Sequence, residues 1–376
     1  MRVCAQITGW GKGLPRQILT NEDLASQVDT SDEWIRSRTG IAARRVADAR
    51  ETTATLAIRA ARQALAIAGL APQKLDLIIV ATATPEHVFP ATACLVQDAL
   101  GASRAGAFDL SAGCSGFIYA LSMAARAIEA GAYRAILVIG AETLSRIVNW
   151  QDRNTCVLFG DGAGAVVLQA GEGQGGILST VLGADGSGAD LLIVPAGGSR
   201  RPTSAASVRD GEHYIRMDGR EVYRFATRVL VKASREALAA AGLSVDDLAL
   251  FIPHQANVRI IASAAKDLGL PKERVYINLQ RYGNTSAASI PIALCEAVEE
   301  GRLQPGDHVA LVGFGAGLTW GAAVLRWGVP TPVPPIPRRR RLLSWLGYRL
   351  ANLRSLGNRL LRKLDALLGP SQNGKA

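Results

Sequence analysis

The sequence predicts an α/β protein built from a duplicated unit, followed by a separate basic amphipathic helix. Three observations carry this. Short stretches recur at a nearly constant offset: AGL at 68–70 ahead of LDLIIV at 75–80 matches AGL at 241–243 ahead of LALFIP at 248–253. Position 68 thus pairs with 241, and 75 with 248. AIEAG at 127–131 ahead of AILVIG at 135–140 matches AVEEG at 297–301 ahead of VALVG at 309–313, so that position 127 pairs with 297. Each pair reads as a helix stopped by glycine and then a short buried strand, so a repeat spans about half the body. All-apolar strands alternating with Ala-rich helices imply a sheet covered on both faces.

Taken in chain order, the opening segment 1–15 holds no apolar block of the kind a secretory leader needs. No apolar run reaches the roughly 20 residues of a membrane span. The strand at 75–80 and the helix at 117–128 belong to the first half. The glycine-rich 159–164 segment (FGDGAG) lacks a dinucleotide or Walker pattern and reads as a turn before the packed strand 165–168. The glycine-rich break at 171–176 separates the halves, giving units at 1–170 and 171–327. Residues 313–317 (GFGAG) are likewise no phosphate loop.

Net charge is +10, which by itself would suggest nucleic acid. Its distribution argues otherwise. Residues 328–376 hold ten Lys and Arg against one acid, Asp365, so the body at 1–327 carries only +1. The body shows no basic patch interleaved with aromatics, and no nucleic-acid partner is expected. Five scattered cysteines without a CxxC pair suggest neither a disulfide framework nor a zinc knuckle, and no metal is expected. A cytoplasmic location fits.

The tail divides into a Pro/Arg linker at 328–341, an amphipathic helix at 342–368 and an end, 369–376, expected to be disordered. Leucines recur at three- and four-residue steps among basic residues. Three readings stay open: binding in the plane of an anionic membrane through 338–368, docking on an acidic protein, or a solvated helix folded back on the body.

The repeat also pairs position 114 with 284, where Cys114 and Asn284 each stand at a tight turn before an apolar helix. His254 follows the strand 248–253, where the first half has Ala81. A cysteine at a helix start has its thiolate favoured by the dipole, a histidine moves or holds a proton, and an asparagine donates to an oxyanion. Together they fit acyl transfer through a thioester. Singly, a cysteine is most often a small core residue and an asparagine before Thr-Ser a helix cap.

On its motifs the sequence resembles the β-ketoacyl-acyl-carrier-protein synthase III family of the thiolase superfamily. These are VDTSDEWI at 28–35 with RTG at 38–40, AGCSGF at 112–117, FGDGAG at 159–164, PHQAN at 253–257, GNTSAAS at 283–289 and the glycines of 313–321. The resemblance covers residues 1 to about 327. It implies a thiolase-like five-layer αβαβα fold, a homodimer, and no permanently bound cofactor. The implied substrates are an acyl-CoA and a malonyl group on the phosphopantetheine arm of an acyl carrier protein. The implied reaction is a decarboxylative condensation that initiates fatty acid synthesis. Cys114 would be the nucleophile, the backbone N–H groups of Cys114 and Ala316 the oxyanion donors, and His254 and Asn284 the stabilisers of the enolate. Trp34 and Arg153 would flank the CoA adenine, Arg38 would sit near its phosphates and Asn257 on the pantetheine. Phe89 would gate chain length across the dimer, and Arg224, Arg259 and Lys266 would dock the carrier. Arg220, beside the stretch that lines the tunnel, and the basic tail depart from the family pattern. Two other functions stay open: a specialised condensing relative for a secondary metabolite, quinolone or unusual lipid, and a non-catalytic membrane-recruited partner of a condensing complex.

Overall fold

The computed structural model describes residues 3–172, 175–329 and 337–368. The first half contains β1 (Val3–Gly13), β2 (Gln17–Thr20), α1 (Asn21–Ala25), α2 (Asp32–Thr39), β3 (Ala43–Val46) and α3 (Thr53–Ala68). It continues with β4 (Leu77–Ala81), α4 (Thr92–Leu100), β5 (Gly106–Leu110), α5 (Gly116–Glu129), β6 (Ala135–Thr143), α6 (Arg153–Cys156) and β7 (Asp161–Glu172). The second half contains β8 (Gly176–Ala184), β9 (Leu192–Ile193), α7 (Ala205–Arg209), β10 (Arg216–Met217), α8 (Gly219–Ala240) and β11 (Leu248–Pro253). It ends with α9 (Val258–Leu268), α10 (Leu279–Tyr282), α11 (Ser289–Glu299), β12 (His308–Gly315) and β13 (Thr319–Arg326), and α12 (Arg338–Leu368) follows.

Two sheets share one plan. The first has the order β1-β7-β6-β4-β5 and the second, read from its far edge, β8-β13-β12-β11. β4 runs parallel to β6, and β11 parallel to β12. Each is flanked by antiparallel partners in the same places. The counterpart of β5 has shrunk to a single bridge between Phe251 and Val275, because the chain turns into α10 soon afterwards.

α3 and α4 cover the outer face of the first sheet, and α8 and α9 that of the second. α5 and α11 lie between the sheets, making five layers. β4 and β6 are buried along their whole length, as a strand with helices on both faces must be. Glycine lets the inner helices press close: a Cβ at Gly140 of β6 would lie 2.1 Å from the Ala287 carbonyl oxygen. The second half closes against the first where Trp327 meets Trp10, ring centroids 5.2 Å apart.

α12 begins at Arg338, so residues 338–341, read from sequence as linker, are helical. It folds back on α4 and α3 and forms a sixth layer. The proline-rich 330–336 and the end 369–376 lie outside the described residues. Among the described residues no helix is long and apolar enough to cross a membrane.

Candidate active site

Cys114 sits in the single turn Gly113–Ser115 that opens α5. Gly113 has φ +53°, and a Cβ there would lie 2.7 Å from the Ala316 nitrogen. A Cβ on Gly315 would lie 2.4 Å from the Cys114 nitrogen. Two glycines thus allow the turn before α5 and the end of β12 to touch, bringing the Cys114 and Ala316 amides together. Hydroxyls lock the crossing: Ser115 Oγ donates to Thr319 Oγ1 at 2.8 Å, which donates to the Ala112 carbonyl at 3.0 Å.

The helix-end argument favours a thiolate, but the structure reverses it. Cys114 is 8% exposed. Burial pushes its thiol up to about 12, with Glu142 adding to the rise and a hydrogen bond from Ser286 opposing it. Desolvation of a charged sulfur outweighs the dipole of one helix end.

Asn284 and His254 converge on the same cleft as Cys114. The turn 284–286 is held by the Asn284 side chain, whose Oδ1 accepts the Ser286 N–H at 2.9 Å. That fixes the amide so that its NH2 group is what the pocket meets. Asn284 also joins the crossing of the two halves, its N–H donating to the Leu158 carbonyl at 2.8 Å. His254 leaves β11 with its N–H on the Val312 carbonyl at 2.7 Å. Its ring lies edge-on to Phe314, centroids 5.4 Å apart. Among the described residues neither ring nitrogen has a partner, and burial drives the imidazole down to about 3. His254 is therefore a neutral ring awaiting a ligand.

Two cavities meet at Cys114. One is the entrance, lined by Val222 and Tyr223 of α8, Asn257 at the start of α9, Ile260 within it, and the His254–Asn284 pair. The other is apolar, bounded by Ala83, Leu144, Ile147, Val194 and Ile215. It shares Ala83 and Ile147 with an open groove along 84–86.

Sequence reasoning missed what braces this centre. Glu142, at the end of β6 and fully buried, accepts from Ser286 Oγ at 2.9 Å, Thr84 Oγ1 at 2.6 Å and the Thr84 N–H at 3.1 Å. Burial raises its carboxyl, and these hydrogen bonds oppose the rise. Ser286 is one of two non-glycine residues with positive φ (+48°) among the described residues. The available signal was an acid closing an otherwise apolar strand.

The remaining candidates fall into three places. At the mouth, Arg153 stacks over the Trp34 ring at 5.0 Å and Arg38 at 5.6 Å. Asn257 caps α9 and also donates from Nδ2 to the Arg38 carbonyl at 3.1 Å, clipping α2 to α9. On the outer layer, Arg224 of α8 and Arg259 and Lys266 of α9 are exposed, and Arg224 pairs with Glu221. Arg220 is exposed too and only Gly219 beside it lines the entrance, so Arg220 stays out of the tunnel. Phe89 lies apart from both cavities in its own protomer and is 85% exposed.

A duplicated five-layer sandwich with a buried cysteine, a neutral histidine and an oriented asparagine at its centre defines a thiolase-fold condensing acyltransferase. Family models agree: residues 108–186 match 3-oxoacyl-[acyl-carrier-protein] synthase III, and 238–327 match its C-terminal part. A β-ketoacyl-[acyl-carrier-protein] synthase III from Symbiobacterium thermophilum is 59% identical over 322 residues, 86% of this chain and 98% of that one. One from Roseiflexus castenholzii is 55% identical over 323 residues, 86% and 98% of the two chains. The crystal structure of the Aquifex aeolicus synthase III superposes with TM-score 0.80 at 51% identity, covering 86% of this chain and all of that one. The chain belongs to the β-ketoacyl-[acyl-carrier-protein] synthase III family, and its activity is the condensation that initiates fatty acid synthesis.

Proposed function

We propose that Cys114 takes an acyl group from acyl-CoA and that His254 and Asn284 then direct its condensation with malonyl-acyl-carrier protein. The observation that carries this reading is the meeting of two cavities at the Cys114 thiol, one polar at its base and one apolar. The primer thioester enters past Trp34, Arg153, Arg38 and Asn257. Its carbonyl oxygen sits on the Cys114 and Ala316 N–H groups while Sγ attacks the carbonyl carbon. CoA leaves as the free thiol, carrying the proton of Cys114, and the acyl chain lies in the apolar pocket. Such a transfer needs no standing thiolate, which suits a thiol at about 12.

Malonyl-carrier follows through the same mouth, its acidic protein docked on Arg224, Arg259 and Lys266. Loss of CO2 leaves an enolate whose oxygen accepts from the neutral His254 ring and the Asn284 amide. Neutral donors stabilise that charge without protonating the carbon. The carbon attacks the acyl thioester, the 3-oxoacyl-carrier leaves, and the cysteine thiolate regains a proton from water.

A homodimer completes the reading. β5 is an open sheet edge, and Phe89 beside the equally bare Val88 projects from the loop next to the open end of the apolar pocket. A second copy would bring its Phe89 to that opening and set primer length. The cytoplasm is the working compartment.

The test is intact-protein mass spectrometry with a panel of acyl-CoAs and then malonyl-carrier. Acyl mass on the Cys114 peptide followed by 3-oxoacyl-carrier is the expected result. Cys114→Ala should give neither, whereas His254→Ala and Asn284→Ala should acylate yet release no product. No acylation by any primer would sink the reading. A priming β-ketosynthase of the R1128 polyketide pathway superposes with TM-score 0.81 at 38% identity, covering 88% of this chain and 98% of that one. A distinct primer range or carrier preference in the same assay would move the chain toward a specialised use of that kind.

A further inference from the structure

α12 is turned the wrong way round for a helix in water. At 3.6 residues per turn, Ser344, Tyr348, Ala351 and Ser355 share one side. That side meets the body. Arg62 stacks over the Tyr348 ring at 4.5 Å, a Cβ on Gly101 would lie 2.7 Å from the Ala351 Cβ, and Ser355 Oγ donates to Asp98 at 2.6 Å. Leu346, Leu350, Leu353, Leu360 and Leu364 share the opposite side and are 42%, 65%, 67%, 56% and 50% exposed. A helix packed on a protein ordinarily buries its apolar face and shows its polar one. Here five leucines, in a row about 27 Å long, face away from the body. Exposed Arg349 and Lys363 border the row on one side and Arg354 on the other.

We infer that this face lies in the plane of an anionic phospholipid surface. The leucines enter among the acyl chains, and the bordering cations meet headgroup phosphates. Charge selects this occupant. Residues 328–376 carry ten basic groups against one acid, so the face complements an anionic sheet. A second copy of the helix would set Arg349, Arg354 and Lys363 against their own images, with no acid among the described side chains of the helix. The row also lies on the α3–α4 side, whereas the entrance opens between α8 and α9 on the other outer layer. Lipid contact and substrate entry therefore use different faces. The matched family region ends at residue 327, so the inference stands apart from the proposed chemistry.

The experiment is flotation of the full chain with vesicles of phosphatidylcholine and phosphatidylglycerol, beside vesicles of phosphatidylcholine alone. The triple substitution Leu350→Ser/Leu353→Ser/Leu360→Ser is run in parallel; its changes lie on the surface, and its Cys114 acylation by acyl-CoA should match the parent. The parent should float with the anionic vesicles and bind roughly tenfold less to the neutral ones. Salt near 1 M, where the screening length falls to about 3 Å, should release most of it. The triple mutant should stay behind. No flotation of the parent, or equal flotation of the triple mutant, overturns the inference. If the parent fails to float but assembles without lipid into larger species than the triple mutant does, the face belongs to a second copy. If it fails to float, and is held on immobilised acyl carrier protein more tightly than the triple mutant, beyond the retention that Arg224, Arg259 and Lys266 give to both, the face belongs to an acidic protein.

Discussion

A neutral imidazole at His254 sets the pH behaviour of the site. Its folded value of about 3 lies below the ordinary 6.5, so the folded ring stays uncharged where the unfolded one takes up a proton. His254 therefore costs stability progressively as pH falls below 6.5 toward about 3, and has no such effect above 6.5. Between about pH 5 and 8 the condensation rate should show no histidine limb, and the His254 ring signals in an NMR titration should stay put. A ring titrating near its ordinary value would refute this. Glu142 is the second decisive residue. Glu142→Ala strands the Ala83 N–H and the hydroxyl hydrogens of Thr84 and Ser286 in the interior and should cost about 3 kcal/mol in urea denaturation. Glu142→Gln keeps an acceptor for Ser286 and should lose less in the same measurement. The meeting of Cys114, His254 and Asn284 in one cleft was readable because His254 follows a strand end and Cys114 and Asn284 each stand beside small residues at a helix start. Glu142 was not, since its partners Thr84 and Ser286 are remote from it in the chain.

Among the elements, the helices and strands of the repeat were legible from glycine stops and apolar runs. Their caps explain why: α3 ends at Gly69 in the left-handed region, and α9 opens on Asn257. The lost fifth strand of the second sheet was not legible, because one bridge at Val275 has no periodicity to detect. α12 shows the limit of pattern reading. Its leucine spacing announces an apolar face, but which face meets the body depends on small residues, Gly101 and Ala351, that carry no pattern of their own. Tyr348 is the largest side chain packed in that contact, against the cluster under α3 and α4. Tyr348→Ala should free the helix. Limited trypsin digestion should then cut at Arg349 and Arg354 several-fold faster, with the body's melting point unchanged. Unaltered cleavage would mean that the docking rests elsewhere.

At the scale of the whole molecule, duplication places two helix-opening turns, one from each half, at the crossing of the halves. One carries the thiol and the other the amide, and the open edges stay outside. β5 ends the first sheet with Phe108 41% exposed. If two copies join along that edge, Phe108→Glu should convert the dimer to monomer in sedimentation and depress turnover with it, because Phe89 could no longer reach its partner. A monomeric mutant with full activity would show that each chain works alone. The layered plan followed from alternating strands and helices, and the near-neutral body from separating its charge from the tail's. The tail's return to the α3–α4 layer could not be read, since the proline-rich stretch before it leaves direction open.

The resting thiol has one further consequence. Peroxide and alkylating reagents attack the sulfur anion, and Cys114 holds almost none at neutral pH. The nucleophile should thus react slowly with small oxidants, while a thioester whose carbonyl is already seated on two amides remains open to it. Selectivity resides in the seat rather than in the sulfur.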